Sequence, residues 1–459
     1  MRDVGPGTRA TPAQPAFGRP DVRASGPTDR ARACARRGIG GLALWALVAA
    51  WPVSGAGCAS GGRGSAPTPT PARAQVDPAA ARLDTLAAEL LDTARARYGR
   101  VAAARDPAVG YPRSTGPGGA WTTRPLSEWT TGFFPGVLWL LYERRPDDAL
   151  LEQAERWTMP LTGIFQGPIS HDLGFQFMPT FAAAYRLRGE ERFRPPVLEA
   201  ARLLAGRYNP RVGATKSWDW TDPQRPFPVI VDNMMNLELL LWGARNGGDT
   251  AWVRMARQHA RTTIANHVRP DGGSFHVVVF DSTTGRRLER ITHQGYADAS
   301  TWARGQAWLL HGFTIVYRET GEALFLATAR RAADYFIAHL PADGVPCWDF
   351  QAPDCPGTTA DRDASAAAIA ASGLLELSEL APAADGTRYR AAAVHMLTTL
   401  AQPPYAAAAG SEALLLHATG SRPDRSEVDV GLIYGDYYLV QAMLRWQRGR
   451  ALTGAAPAR

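Results

Sequence analysis

Across residues 78–450 the chain repeats one pattern, apolar residues at helical spacing, and no linker interrupts the series. The pattern predicts helices at 78–99, 131–144, 147–165, 174–188, 190–207, 232–246, 248–268, 300–319, 321–339, 363–381, 385–402 and 433–450. Many are separated only by turn signals: Arg145-Pro146-Asp147, Arg188-Gly189-Glu190, Asn246-Gly247-Gly248 and Glu319-Thr320-Gly321. Connections this short make antiparallel neighbours. Twelve helices taken as six hairpins predict an all-α protein, an (α/α)6 barrel occupying residues 77–455. A β-like stretch at 274–280, followed by 281–286, predicts a hairpin on a loop. Three connections, 209–231, 270–300 and 341–362, are long for a compact domain. Loops of that length are usually functional, and Trp, His, Asp and Arg concentrate in them.

The net charge of +7 suggests nucleic acid only until it is located. Residues 1–75 hold ten Arg against three Asp, which accounts for all of the excess. A nucleic-acid footprint belongs on the folded domain, so no nucleic-acid partner is expected. The first 57 residues read as an export leader. Arg36 and Arg37 precede an apolar run at 40–51 that is too short to span a bilayer and ends at Pro52. Gly55-Ala56-Gly57-Cys58 resembles a lipoprotein cleavage site, with Gly55 where Leu is usual. Cys58 is then the lipidation site and the membrane attachment, and residues 58–76, rich in Gly, Ser and Pro, a flexible tether. An ordinary signal peptide that happens to contain a Cys is the other reading. Either places the mature protein in the periplasm or at the cell surface. There, Cys347 and Cys355, eight apart in CWDFQAPDC, are expected to form a disulfide. Two Cys with no matching His or Cys pair are not a ligand set, so no metal is expected.

Two carboxylates stand at predicted helix starts: Asp172 in HDLGF and Asp232 in VDNMMN. Asp is a favoured N-cap, and either residue alone could be only that. Repetition on one architecture argues for more. Helix starts of one class share a rim of such a barrel. Neighbouring carboxylates raise one another's pKa, and a proton donor near neutral pH needs a raised pKa. In THQGYADASTWARGQAW, Arg304 lies two residues from Trp302 and four from Trp308. An Arg at the start of a core helix needs an anion, either a substrate carboxylate or an internal Asp. His276 and Gln294 are hydrogen-bonding groups of the kind sugar sites use. Tryptophan, at 14 residues, stacks well on sugar faces but is equally core material. No phosphate-binding glycine loop, HExxH or GxSxG occurs.

Eight segments, in order and spread over residues 90–450, resemble glycoside hydrolase family 88, which contains the unsaturated glucuronyl hydrolases. They are WTTGFFPGVLWLLYE (129–143), HDLGF (171–175), DNMMNLELL (232–240), SFH (274–276), QGYADASTWARGQAW (294–308), VPCWDF (345–350), DASAAAIAASGLLEL (363–377) and EVDVGLIYGDYY (427–438). The resemblance implies an (α/α)6 barrel and a hydrolase without cofactor or metal. It implies a substrate produced by polysaccharide lyases, an oligosaccharide ending in a C4=C5-unsaturated uronate. By similarity Asp232 is the general acid/base and Asp172 the essential second carboxylate. His276, Gln294, Arg304 and Trp308 look like substrate-site residues, and His171, Trp129, Trp218 and Trp302 like further sugar contacts. Phe134 departs from the Trp of many members.

Other readings share this barrel: a family 105 unsaturated rhamnogalacturonyl hydrolase, a conventional inverting glycosidase, and a surface lipoprotein that only binds sugars. WARGQAW argues against the first. Intact Asp172, Asp232, His276, Gln294 and Arg304 argue against the last.

Overall fold

The computed structural model describes residues 78–357 and 360–454. The expected leader, tether and lipidated Cys58 lie outside the described residues.

The apolar periodicity becomes thirteen α-helices: α1 (Pro78–Ala104), α2 (Phe133–Arg144), α3 (Asp148–Thr158), α4 (Leu173–Phe177), α5 (Ala183–Arg188), α6 (Arg194–Gly206), α7 (Asn233–Arg245), α8 (Ala251–Asn266), α9 (Ala303–Thr320), α10 (Ala323–Ala338), α11 (Ala364–Leu380), α12 (Ala383–Leu400) and α13 (Ile433–Gly454). A π turn, Met178–Ala182, joins α4 and α5 into one rod. Pro179 in that turn has no N–H for the i→i−4 ladder, which accounts for the local widening. Counted this way the twelve expected helices are present.

They form two rings. The inner ring runs α2, α4–α5, α7, α9, α11, α13 and back to α2, each packed on the next. Five outer helices (α3, α6, α8, α10, α12) return from an inner one as hairpins. The sixth outer place belongs to α1, which packs against α13, α12 and α2, so the two ends of the chain complete the barrel. Burial follows position. From Ala303 to Val316 every residue of α9 is buried, and so is every residue of α11 from Ala364 to Leu377. Outer α8 buries only a stripe, Trp252, Ala256, His259, Ala260, Thr262 and Thr263, as an amphipathic helix should. Small residues bring the inner helices together. A Cβ on Gly312 of α9 would lie 2.5 Å from the Cβ of Met234 on α7.

Strands are confined to the connections. A hairpin of β1 (Tyr111–Thr115) and β2 (Trp121–Arg124) precedes α2. Two-residue strands β3 (Tyr208–Asn209) and β4 (Ala214–Thr215) pair in the loop before α7. Beyond them β5 (Phe227–Ile230), β6 (Val277–Phe280) and β7 (Arg287–Ile291) make an antiparallel sheet in that order. The expected hairpin is therefore β6 and β7, with its second strand beginning at 287 rather than 281, because Asp281 and the residues after it form the turn. Cys347 and Cys355 are joined by a disulfide, with Cα atoms 6.1 Å apart.

Candidate active site

The inner helices share one direction, and their N-termini gather at one rim. Trp129 lies just before α2, Asp172 and Asp232 are the N-cap residues of α4 and α7, and Trp302 is that of α9. Asp363 caps α11, and Tyr434 is the second residue of α13. Six helix N-termini thus gather at one rim, and five of them contribute lining to the cleft there, which favours an anion. The cleft is lined by Arg113, Trp129, His171, Asp172, Phe175, Trp218, Ile230, Asp232, Gln294, Trp302, Arg304, Trp308 and Tyr434.

The two aspartates do not act as caps. Asp147 and Asp363 accept from the backbone N–H of Leu150 and Ala366, as capping aspartates do. The side chains of Asp172 and Asp232 accept no such bond. Asp172 instead accepts from Ser170 Oγ at 3.2 Å and from Asn236 Nδ2 at 3.5 Å, with His171 Nε2 3.2 Å away. Asn236 also takes the N–H of Phe175 on its Oδ1, at 3.2 Å, and so ties α7 to α4. Gly174 permits this approach, since a Cβ there would lie 2.6 Å from Asn236 Oδ1.

Asp232 is 8% exposed, and its Oδ2 is buried without a hydrogen-bond partner. Burial, reinforced by the charge of Asp172, raises its pKa to about 7; Arg304 pulls the other way. The neighbouring imidazoles leave that value high. His276 Nδ1 accepts from the N–H groups of His293 and Gln294 at 3.3 Å, so its proton sits on Nε2, 3.9 Å from Asp232 Oδ2. Burial holds His276 well below the usual imidazole range and lowers His171 as well. Both are neutral, and neither supplies the positive charge that would ionise Asp232.

Arg304 is 2% exposed. Its guanidinium donates to Asp363 and to the carbonyls of Thr419 and Gly420. It also lies 4.6 Å from the Trp302 ring centre and 5.4 Å from that of Tyr434. The internal partner left open by the sequence is thus Asp363, not Asp172 or Asp232, while the side chain still lines the cleft. Gln294 Nε2 donates to Gly420 O at 3.0 Å. Its Oε1, an acceptor, is the group left for a hydroxyl.

Aromatic rings complete the walls. Trp218 stacks on Trp220 at 5.1 Å. Trp302 packs on His276 at 4.5 Å, Trp308 on Phe175 at 5.0 Å, and Trp129 on Tyr434 at 5.1 Å. Nine of the ten expected site residues line the cleft. His276 stands one layer behind, between Trp302 and Trp218. Arg113, Phe175, Ile230 and Tyr434 are lining residues that sequence reasoning missed. Tyr434 and Phe175 sit inside matched motifs, which was signal enough to find them. Arg113, on β1, carries none. Among the described residues no group of three or more His, Cys, Asp or Glu side chains converges as metal ligands.

A carboxyl group poised near neutrality, a second carboxylate, uncharged imidazoles and tryptophan walls on an (α/α)6 rim define a glycosidase. The chain belongs to the unsaturated glucuronyl hydrolases, glycoside hydrolase family 88. It is 38% identical over 322 residues to an unsaturated glucuronyl hydrolase of Formosa agariphila, covering 69% of this chain and 79% of that one. The crystal structure of an unsaturated glucuronyl hydrolase specific for heparin matches with a TM-score of 0.77 at 39% identity, over 80% of this chain and 98% of that chain. A mutant unsaturated glucuronyl hydrolase of Streptococcus agalactiae, complexed with dGlcA-GalNAc6S, matches with a TM-score of 0.67 at 28% identity, over 82% and 97%. No protein-family model matches the chain.

Proposed function

We propose that the enzyme removes the terminal 4,5-unsaturated uronic acid from lyase-generated oligosaccharides by hydrating its enol ether double bond. The observation that carries this reading is Asp232, buried, unpartnered at Oδ2 and raised to about 7 at the floor of the cleft. Protonated Asp232 delivers its proton to C4. The π electrons form the C4–H bond, and the positive charge left at C5 is shared by the ring oxygen. Water adds at C5 and returns its proton to the Asp232 carboxylate. The hemiketal then opens at the bond between C5 and the ring oxygen, leaving a C5 ketone and a hemiacetal at C1. That hemiacetal expels the next sugar as an alcohol. One carboxyl group serves as acid and then as base, so the two-carboxylate spacing rule of common glycosidases does not govern this site. Burial keeps Asp232 protonated, and the neighbouring Asp172 carboxylate adds to it. The helix N-termini favour the uronate carboxylate, and Trp129, Trp218, Trp302 and Trp308 offer ring faces. In D2O the released keto acid should carry one deuteron at C4. Its absence there would exclude protonation at that carbon.

We further propose that the protein is exported and lipid-anchored through Cys58, on the strength of Arg36-Arg37, the apolar run and Gly55-Ala56-Gly57-Cys58. Cys58→Ser should leave the precursor unprocessed or release it from membranes. Parental processing and partitioning would contradict lipidation.

A further inference from the structure

Among the described residues, those other than glycine with a left-handed backbone are His417, Arg425, Glu427 and Asp429, with φ of 58°, 51°, 55° and 58°. All four fall between residues 417 and 429. Such a backbone is unfavourable for a residue with a Cβ. It persists where its surroundings over-determine it, and it clusters at functional sites.

The surroundings here are the cleft itself. On one limb of the segment the carbonyls of Thr419 and Gly420 accept from Arg304, and Gly420 O also accepts from Gln294. On the other limb Glu427 is held by Arg113, Nε to Oε1 at 3.0 Å and Nη2 to Oε2 at 2.7 Å. The limbs are drawn together: Gly420 N–H donates to Glu427 O at 2.7 Å, and Ser421 and Ser426 exchange backbone bonds at 2.9 Å. Gly420 has to be glycine, because its Cβ would lie 2.8 Å from Glu427 Cβ. Arg113 also lines the cleft, 5.3 Å from the ring centre of Trp129 and 5.8 Å from that of Tyr434, and reaches Glu128 at 3.2 Å. The segment is also tied by Arg422 to Asp361, by Thr419 Oγ1 to Arg362 O and by the Ala364 N–H to His417 O, but the groups of the cleft wall that hold it are Arg304, Gln294 and Arg113.

We propose that Arg113 is a positioning residue whose ion pair with Glu427 latches the 417–429 segment onto the cleft. This rests on reading the cleft as the sugar site. Latched, the segment presents the Gly420 carbonyl to the Gln294 amide nitrogen, which fixes Gln294 with its Oε1 free for a hydroxyl. Unlatched, Glu427 leaves its left-handed conformation and Gly420 O shifts. Gln294, Trp129 and Tyr434 lose their settings, while Asp363, which lies outside the segment, still holds Arg304 in place near Asp232. The latch thus serves binding rather than proton transfer.

The test is Glu427→Gln in the full-length protein, which keeps the side chain's shape and removes its charge. Arg425 and Ser426 are exposed, so trypsin can cut between them once the segment opens, whereas Pro423 protects the bond after Arg422. Cleavage of an opened state tracks its population. We expect the fragment beginning at Ser426 to appear about tenfold faster in the variant. We also expect KM for an unsaturated disaccharide to rise about tenfold, with kcat within about threefold and the pH profile in place. Arg113→Lys, which keeps charge but loses the fork, should fall between the two. Cleavage and KM within twofold of the parent would overturn the latch. So would a higher KM without faster cleavage, or a moved pH profile, since each would assign Glu427 a different role. A parent enzyme inactive on unsaturated disaccharides would sink the functional reading instead, and the cleavage comparison would still decide the latch.

Discussion

Asp232 is the residue at which burial, charge and chemistry meet, and its pKa of about 7 has two consequences. The first is kinetic. A donor must be protonated, so kcat/KM should fall as pH rises through about 7. Asp232→Asn keeps the shape but has no acidic proton, and kcat should drop about 100- to 10,000-fold. The second concerns stability. The folded-state pKa lies above the unfolded one, so between the ordinary carboxyl value of 3.8 and about 7 the native state holds a proton that the unfolded chain has lost. Stability therefore falls as pH rises through that window. Asp232→Asn should raise Tm at pH 8 and leave it nearly unchanged at pH 4. Differential scanning calorimetry at the two pH values checks this, and equal shifts would contradict the linkage. Because the Asp172 charge raises Asp232, Asp172→Asn should move the basic limb of the activity profile to lower pH as well as slow turnover. Arg304 acts in the opposite sense. Arg304→Gln should move that limb upward, and by leaving Asp363 buried without its cation should destabilise the fold by about 3–5 kcal/mol. Parental stability in that variant would show the pair to be dispensable. The site residues were legible because most lie in motifs beside helix starts. The partner of Arg304 was not, since Asp363 is 59 residues away and only the barrel brings it near. Arg113 was illegible for the same reason, its partner Glu427 being 314 residues distant.

Among the elements, helices were far more legible than strands. Ten to twenty residues of period 3.6 give a helix several repeats in which to declare itself, and every expected helix is present, although the one expected at 147–165 is α-helical only to Thr158 and continues as a 3-10 helix from Met159 to Gln166, with Pro160 at its start. A strand of four residues such as β5, FPVI, buried on both faces, has no alternation to read. It is defined by β6, which lies about fifty residues later. The sixth helix pair was likewise hidden, because α1 and α13 meet across the whole chain. Close packing of elements sets the catalytic geometry through Gly174. Gly174→Ala should push α4 from α7, part Asp172 from Asp232, and so lower kcat while moving the basic limb to lower pH. A change in Tm alone would reduce Gly174 to a packing residue. The Cys347–Cys355 bridge closes a short loop before α11. Its removal should cost about 2–3 kcal/mol in the chain-entropy model, measurable by chemical denaturation of the double Ser variant, and native mass spectrometry should find no free thiol at either position.

At the scale of the whole molecule, the barrel is an electrostatic device. Six inner helices gather their N-termini at the rim of the cleft. The last turns of α2, α5, α7 and α9 carry Arg144, Arg188, Arg245 and Arg318, the cations suited to helix C-termini, with Arg318 paired to Glu238 at 2.5 Å. An anionic uronate is thus favoured at one end of the barrel by the fold itself, without the net basic charge that would invite nucleic acid. The central claim is that the enzyme hydrates an enol ether rather than hydrolysing an ordinary glycoside. The most direct measurement follows the ultraviolet absorbance of the conjugated enol carboxylate. It should be applied across unsaturated disaccharides from chondroitin, hyaluronan, heparin, gellan and ulvan, with their saturated counterparts assayed for released sugar. The account predicts that the band disappears for at least one unsaturated member in step with release of the second sugar, that Asp232→Asn abolishes this, and that saturated counterparts stay intact. Cleavage of saturated disaccharides with the band of the unsaturated ones unchanged would contradict it.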